Sequence, residues 1–192
     1  MEKEVVTQET ETVPLRLLLR QETAASHAAL DATASADDLT DPVGYARFLT
    51  RQYRARVPIE AWVERACPEQ VAPPPVAHLI AADLAAMGCA IPQTSLQFKL
   101  PVGVDPIGLA WAIAGSHLGN RMMLKTLQDT ESDSPCSFLA DKKMQRFWCE
   151  LRPQLDRPVS AVHAQPAITA ASTVFAHFLT VFADQAESKA AA

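Results

Sequence analysis

The stretch DPIGLAWAIAGSHLGNRMMLKTLQ, residues 105–128, decides the fold class of this chain. Asp105 and Pro106 are well placed to begin a helix, and the residues that follow are mainly apolar. Gly115 and Gly119 interrupt the helix in its middle. Each glycine costs a helix about 1 kcal/mol relative to alanine, so two on one face indicate a need for close approach or bending.

The rest of the chain is typical of a single all-helical (all-α) domain. Of its 192 residues, 48% are hydrophobic, 20% are charged and only 6 are glycine. Alanine is abundant and the hairpin dipeptides Asn-Gly and Asp-Gly are absent, which favours helix over sheet. We expect a flexible leader over residues 1–13, one domain over 14–187 and a frayed tail over 188–192.

Prolines and glycines mark the predicted helix boundaries. Pro14 is placed to begin the first helix, and Asp41 should cap a second helix that Pro42 opens. Pro58 should kink or split that second helix. Gly88 should end a third helix in a left-handed conformation.

Charge and cysteine content exclude several classes of protein. The net charge of −5 and the pI near 5.5 do not support general binding to nucleic acid or to an anionic membrane. The four cysteines form no C-x-x-C pair, which indicates buried or idle thiols in a reducing cytoplasm. No secretory signal and no run of 18 apolar residues is present, so we expect a cytoplasmic protein.

The sequence lacks the common catalytic motifs. It contains no Walker A loop, no G-x-G-x-x-G, no H-E-x-x-H, no C-x-x-C-H and no E-x-x-H pair for a di-iron bundle. The segment Gly115-Ser116-His117-Leu118-Gly119 is not an esterase elbow, because its serine stands second.

A charged stripe on the first predicted helix has two interpretations. Arg20 and Asp31 both lie within about 40° of the direction of His27 on an ideal helix. Asp31 could accept the Nδ1 proton of His27 and leave Nε2 free for a metal, while Arg20 could pair with an anionic group of a ligand. From these residues alone, a surface histidine in a charged turn is the favoured alternative.

The glycine pair also has two interpretations, which are about equal from the sequence. A flat ligand could press against Gly115 and Gly119, or two helices could cross closely there. His117 points about 200° away from Gly115 and is a poor ligand for that face.

Five segments in order resemble the heme oxygenases of bacteria, including those paired with bacteriophytochromes. They read L-R-x-x-T-x-x-x-H with a following acid, Y-x-x-F-L-x-x-x-Y, P-I-E, D-L-x-x-M-G and G-S-x-L-G, over a resemblance that runs from about residue 15 to 183. The matching residues are Leu19, Arg20, Thr23, His27, Asp31, Tyr45, Phe48, Leu49, Tyr53, Pro58, Ile59, Glu60, Asp83, Leu84, Met87, Gly88, Gly115, Ser116, Leu118 and Gly119.

The resemblance implies a heme oxygenase-like fold with haem between the first helix and a kinked distal helix. His27 would be the iron ligand, Asp31 would hold its imidazole, and Arg20 would pair with a haem propionate. Gly115 and Gly119 would let the distal backbone approach the porphyrin and steer the attack.

The resemblance further implies that haem is both cofactor and substrate, cleaved with O₂ to biliverdin, CO and Fe²⁺. Electrons would come from a ferredoxin or a reductase, and a bacteriophytochrome could receive the biliverdin. Ser116 is the candidate for proton delivery, with a hydrogen bond to its own helix backbone as its common alternative.

The chain departs from the family pattern at three places. A Tyr and a Glu usually precede G-S-x-L-G, where this chain has Trp111-Ala112-Ile113-Ala114, and Asn120 replaces a frequent third glycine. The basic residue usually found in the last helix for a second propionate contact has no match between Ala164 and Ser188, so Arg121 or Lys125 could compensate. These departures motivate a haem carrier or sensor without turnover as the main alternative, and a helical scaffold that binds no haem as another.

The remaining polar side chains are interpreted as structural or exposed. The arginine run of helix two should be a solvated face, or less plausibly a docking site for an acidic electron donor. It consists of Arg47, Arg51, Arg54 and Arg56. His78, His163 and His177 have no acid at i±4, and the aromatic residues should mainly form the core.

Overall fold

The computed structural model describes residues 12–34, 37–130 and 133–190, and its architecture is mostly helical, as the composition predicts. The helices are α1 (Leu15–Ala34), α2 (Pro42–Ala66), α3 (Ala77–Ala86), α4 (Ile107–Gly115), α5 (His117–Asp129), α6 (Lys143–Leu155) and α7 (Ala161–Ala190), with a 3₁₀ turn at Glu69–Val71. Two short strands, β1 (Val13–Pro14) and β2 (Pro158–Val159), pair antiparallel.

The two ends of the predicted domain differ slightly from the boundaries expected. Pro14 belongs to β1, and the first helix begins one residue later at Leu15. Residues 1–11 of the predicted leader and residues 191–192 of the predicted tail lie outside the described residues. Helix α7 continues to Ala190, past residue 187.

Two predicted helix caps are confirmed. Asp41 Oδ2 accepts a hydrogen bond from the Gly44 backbone N–H at 2.9 Å, and Pro42 occupies the first turn of α2. After α3, Gly88 has φ +72°, and the N–H of Cys89 donates to the Leu84 carbonyl oxygen at 2.9 Å. The bond from Cys89 to Leu84 is characteristic of a Schellman motif, in which the residue at the position of Gly88 adopts the left-handed conformation.

Pro58 does not split α2, so of the two predicted effects, a kink or a split, the split does not occur. The helix is continuous from residue 42 to residue 66, and Pro58 is buried inside it. A proline removes one intrahelical hydrogen bond, but apolar side chains on both sides of Pro58 are packed in the core, among them Phe48 and Ile59. Tertiary packing therefore holds the helix together across the proline.

Helix α7 is the centre of the domain and packs against α1, α2 and α4. Among the described residues it is the one helix long and apolar enough to cross a membrane, over Ala161–Ala183, and half of that segment is buried. Where α4 crosses it, a Cβ on Gly108 would overlap the backbone carbonyl oxygen of Ala167. The two backbones can meet only because a glycine stands there.

Several residues that carry the family resemblance hold connections between helices. The hydroxyl of Tyr45 donates to the Pro135 carbonyl oxygen at 3.0 Å, and Glu60 accepts from the backbone N–H groups at the start of α3. The buried carboxylate of Asp83 accepts from the N–H groups of Ser137 and Phe138, both at 2.9 Å. These side chains fasten the segments that precede α3 and α6, so their role is to position helices.

Candidate functional site

His27 and Asp31 form a pair on the open face of α1. His27 Nδ1 lies 2.9 Å from Asp31 Oδ2, and the two side chains are 60% and 66% exposed. One helical turn separates them, so the local backbone alone sets the geometry. With its Nδ1–H donated to the carboxylate, the imidazole would present Nε2 as its basic nitrogen.

Aromatic side chains connect this pair to the glycine-bearing helix. The Phe175 ring on α7 lies 5.8 Å from the His27 ring, and the Trp111 ring on α4 lies 6.3 Å from Phe175. Phe175 is buried and Trp111 is half-buried, so both could have been taken for ordinary core. These contacts place the open face of α1 and the face of α4 that carries Trp111 on the same side of α7.

Neither Gly115 nor Gly119 lies at a tight helix crossing. The nearest atom to a Cβ on Gly115 would be a Trp148 ring carbon at 3.8 Å, an ordinary contact, and a Cβ on Gly119 would meet nothing within 4 Å. The tight-crossing interpretation therefore does not hold for this pair among the described residues. The two glycines form an open apolar stripe with Leu118 and Met122, which are 55% and 75% exposed.

Ser116 stands at a break between α4 and α5. Its hydroxyl donates to the Ile113 carbonyl oxygen at 2.7 Å, and its Oγ accepts from Arg56 Nη2 at 2.9 Å. The backbone bond weighed in the sequence analysis is therefore present, with a side-chain partner in addition. His117 is buried and its Nδ1 lies 2.6 Å from the Ala114 carbonyl oxygen, away from the glycine stripe.

The arginine run of α2 is not a solvated face, which corrects the sequence interpretation. Arg51 and Arg56 are buried, because α2 turns these positions toward the core. Arg47 Nε and Arg51 Nη1 bind the two carboxylate oxygens of buried Asp37, at 3.0 and 2.7 Å. The sequence did not indicate a role for Asp37, because Asp37 lies in a polar stretch before α2. It is ten residues from Arg47 and fourteen from Arg51, and only the fold brings them together.

Arg56 is a buried charged group with aromatic neighbours. It is 3% exposed, and its guanidinium lies over the rings of Phe138 and Phe178, at 5.2 and 5.8 Å from their centres. Burial lowers its pKa to about 10, while the nearby charge of Glu60 acts to raise it. Arg56 therefore remains cationic at neutral pH.

The residues considered for propionate contacts lie in different surroundings. Arg20 is exposed on α1 and makes no hydrogen bond or ion pair within residues 12–34, 37–130 and 133–190. Lys125 is paired with Asp129 on α5. Arg121 borders a small cavity next to Arg56 and Asn120.

The other histidines and the cysteines form no cluster with them. His177 Nε2 lies 3.0 Å from the Ala55 carbonyl oxygen, His163 Nδ1 lies 2.7 Å from Ser160 Oγ, and His78 is exposed. The free cysteines are half-buried except Cys149, which is exposed. No group of three or more His, Cys, Asp or Glu side chains suited to a metal ion occurs within the part of the chain described.

Two cavities lie away from His27. One, of about 20 Å³, is bordered by Arg56 and Ser116, and the other is an open groove between the 3₁₀ turn and α6. Comparison with known proteins adds no identification, because the chain matches no family model and no curated protein.

Proposed function

We propose that this protein binds haem between α1 and the α4–α5 segment and cleaves it to biliverdin, CO and Fe²⁺. One observation carries the proposal. An exposed histidine with an orienting carboxylate, His27 and Asp31, lies on the same side of α7 as the apolar stripe of α4 and α5. In that stripe Gly119 meets nothing of the described chain within 4 Å, and Gly115 has room for an ordinary contact only. A flat, apolar group with a metal at its centre fits both features.

The residues of the two helices have distinct roles in this proposal. His27 would ligate the iron through Nε2, and Asp31 would hold the Nδ1 proton and fix the ring. Gly115 and Gly119 would let the backbone lie against the macrocycle, and Arg20 would pair with a propionate. Haem, when bound, would supply the activation of dioxygen. Electrons would come from a ferredoxin or reductase in the cytoplasm, and a bacteriophytochrome would accept the biliverdin.

Ser116 is the candidate for moving a proton near the helix break. Its O–H is donated to the Ile113 carbonyl oxygen, so it must rotate away before it can donate elsewhere. Arg56 would continue to donate to the same Oγ and keep it in place during that rotation. The hydroxyl could then pass a proton without leaving its oxygen unsatisfied.

A haem carrier or sensor without turnover is the second candidate. Two observations favour it: the Ser116 proton is already engaged, and the turn before it, Trp111–Ala114, offers no carboxylate or phenol. Such a protein would keep the histidine and the glycine stripe and lack the polar groups that proton delivery requires. A scaffold that binds no haem is the third outcome that the experiment distinguishes.

Titration of the purified protein with hemin tests binding. We expect a Soret band of ligated haem in the wild type, and its shift to that of weakly held or unligated haem in His27→Ala. His78→Ala is the matched control, because His78 is exposed on α3. A His27→Ala spectrum identical to that of the wild type would overturn the assignment of His27 as the iron ligand. No Soret change in the wild type would support the scaffold that binds no haem.

Reductant separates the enzyme from the carrier. With ascorbate or a ferredoxin system and catalase present, an enzyme loses the Soret band while the broad red absorption of biliverdin grows. Chromatography then identifies the biliverdin isomer. A Soret band that persists under reductant and O₂ contradicts cleavage and supports the carrier.

A further inference from the structure

The cavity of about 20 Å³ lies behind the helix break. Ser116, Asn120 and Arg121 border it. On an ideal helix Asn120 and Arg121 point about 120° and 140° away from the stripe of Gly115 and Gly119, and Ser116 points about 80° away. The cavity is large enough for one species of about the size of water or a little larger. The cavity therefore lies beside the face proposed to hold haem, and Ser116 borders both.

Arg56 brings a positive charge to this cavity without a carboxylate bound to it. Its Nε donates to Gln52 Oε1 at 3.1 Å and its Nη2 donates to Ser116 Oγ at 2.9 Å, and both acceptors are neutral. Its Nη1 has no hydrogen-bond partner among the residues that the structure describes. The carboxylate of Glu60 is used by backbone N–H groups at the start of α3.

Burial of a guanidinium without an anion is costly. The nearby charge of Glu60 and the faces of the two aromatic rings beside Arg56 recover part of that cost, but none of them is a negative charge hydrogen-bonded to the guanidinium. Elsewhere in α2, the buried Arg51 shows the usual solution, because the carboxylate of Asp37 binds its guanidinium. At Arg56 no carboxylate of the described residues binds the guanidinium in this way, and a cavity lies beside it.

The remaining side chains around the cavity leave it with an excess of positive charge. Arg121 adds a second cation. Asp141 is the one carboxylate among the lining residues, and its Oδ2 already accepts from the Met144 N–H at 3.1 Å, at the start of α6. His117 has its Nδ1 on the Ala114 carbonyl oxygen. Two arginines against one capping aspartate favour an anion over a cation.

We propose that this cavity is a binding site for one small monovalent anion, of the size of chloride, which the guanidinium of Arg56 holds. Asn120 and Arg121 are the further donors at its edge. The anion neutralises the buried cation and so stabilises the contact between α2 and the helix break at Ser116. The site does not depend on haem.

Bromide and chloride are the probes for this site. Thermal unfolding of the purified full-length chain is followed in increasing sodium chloride or bromide, with sodium gluconate keeping the ionic strength constant. We expect a saturable rise in Tm with either halide in the wild type. Arg56→Met should abolish the rise, and Arg54→Met, on the same helix outside the cavity, should retain it.

Crystals grown in sodium bromide keep the test decisive if Arg56→Met fails to fold. An anomalous peak within hydrogen-bond distance of Arg56 supports the site, and Arg121→Met, at an exposed position, should lower the halide affinity severalfold. A Tm that rises equally in gluconate and halide, with no peak in the cavity, overturns the proposal and leaves a water site. Peaks confined to the surface would mean an adventitious ion only.

Discussion

The two halves of the α4–α5 segment use glycine for opposite reasons. Gly108, near the start of α4, lies so close to α7 that a Cβ would overlap the Ala167 carbonyl oxygen and lie 3.0 Å from the Ala171 nitrogen. Gly119, eleven residues later in α5, has nothing of this chain within 4 Å of the same position. One glycine is required by the fold, and the other is not.

This difference identifies the part of the segment available for function. A glycine inside a helix costs stability, and Gly108 recovers that cost through a close helix crossing. At Gly119 no contact with the described protein offsets the loss of stability, and Leu118 and Met122 beside it are exposed. A ligand that lies against the backbone is the physical reason we propose for it.

The largest expected effect is at the packed glycine. Gly108→Ala should destabilise the protein by about 3 kcal/mol, because the added methyl group must push two helix backbones apart. Urea denaturation monitored by circular dichroism measures this change. A loss below about 1 kcal/mol would mean that α4 shifts easily on α7, and the contrast with Gly119 would disappear.

The next effect tests the open glycine with a large side chain. Gly119→Leu should weaken hemin binding about tenfold or more, about 1.4 kcal/mol, because leucine would fill the surface proposed for the porphyrin. Gln128→Leu is the control, since Gln128 is exposed on α5 and points away from the stripe. Equal loss of affinity in both variants would show that the glycine face is not the site.

A smaller effect of opposite sign is expected for Gly119→Ala. Alanine should stabilise the protein by about 0.5 to 1 kcal/mol, because it favours helix and meets no neighbour. The same denaturation series as for Gly108→Ala gives the value. Destabilisation at both glycines would contradict the distinction between a packed and an open half.

The smallest expected effect concerns the burial of histidines. His27 is exposed, whereas His177 is half-buried. Burial lowers the pKa of His177, partly offset by its bond to the Ala55 carbonyl oxygen. The folded state therefore takes up this proton less readily than the unfolded state, so stability should fall as the pH drops from 7.5 to 5.5. His177→Gln should reduce this dependence in denaturation midpoints, and His78→Gln should not; an unchanged slope in His177→Gln would contradict the assignment.

Local sequence rules predicted several features correctly. The cap at Asp41, the left-handed Gly88 and the pairing of His27 with Asp31 all depend on residues within one or two helical turns. The helical class follows from composition in the same way. The continuity of α2 through Pro58 could not be predicted from local rules, because the packing that overrides a proline comes from distant helices.

The sequence by itself determined the helices, their caps and the histidine and carboxylate on one stripe, since these depend on short-range backbone geometry. Only the tertiary structure decided which charges are buried and which glycines are packed. Arg51 meets Asp37 across fourteen residues, and Arg56 meets Ser116 across sixty. Gly108 and Gly119 are alike in the sequence, and the approach of α7 to one of them alone makes the difference.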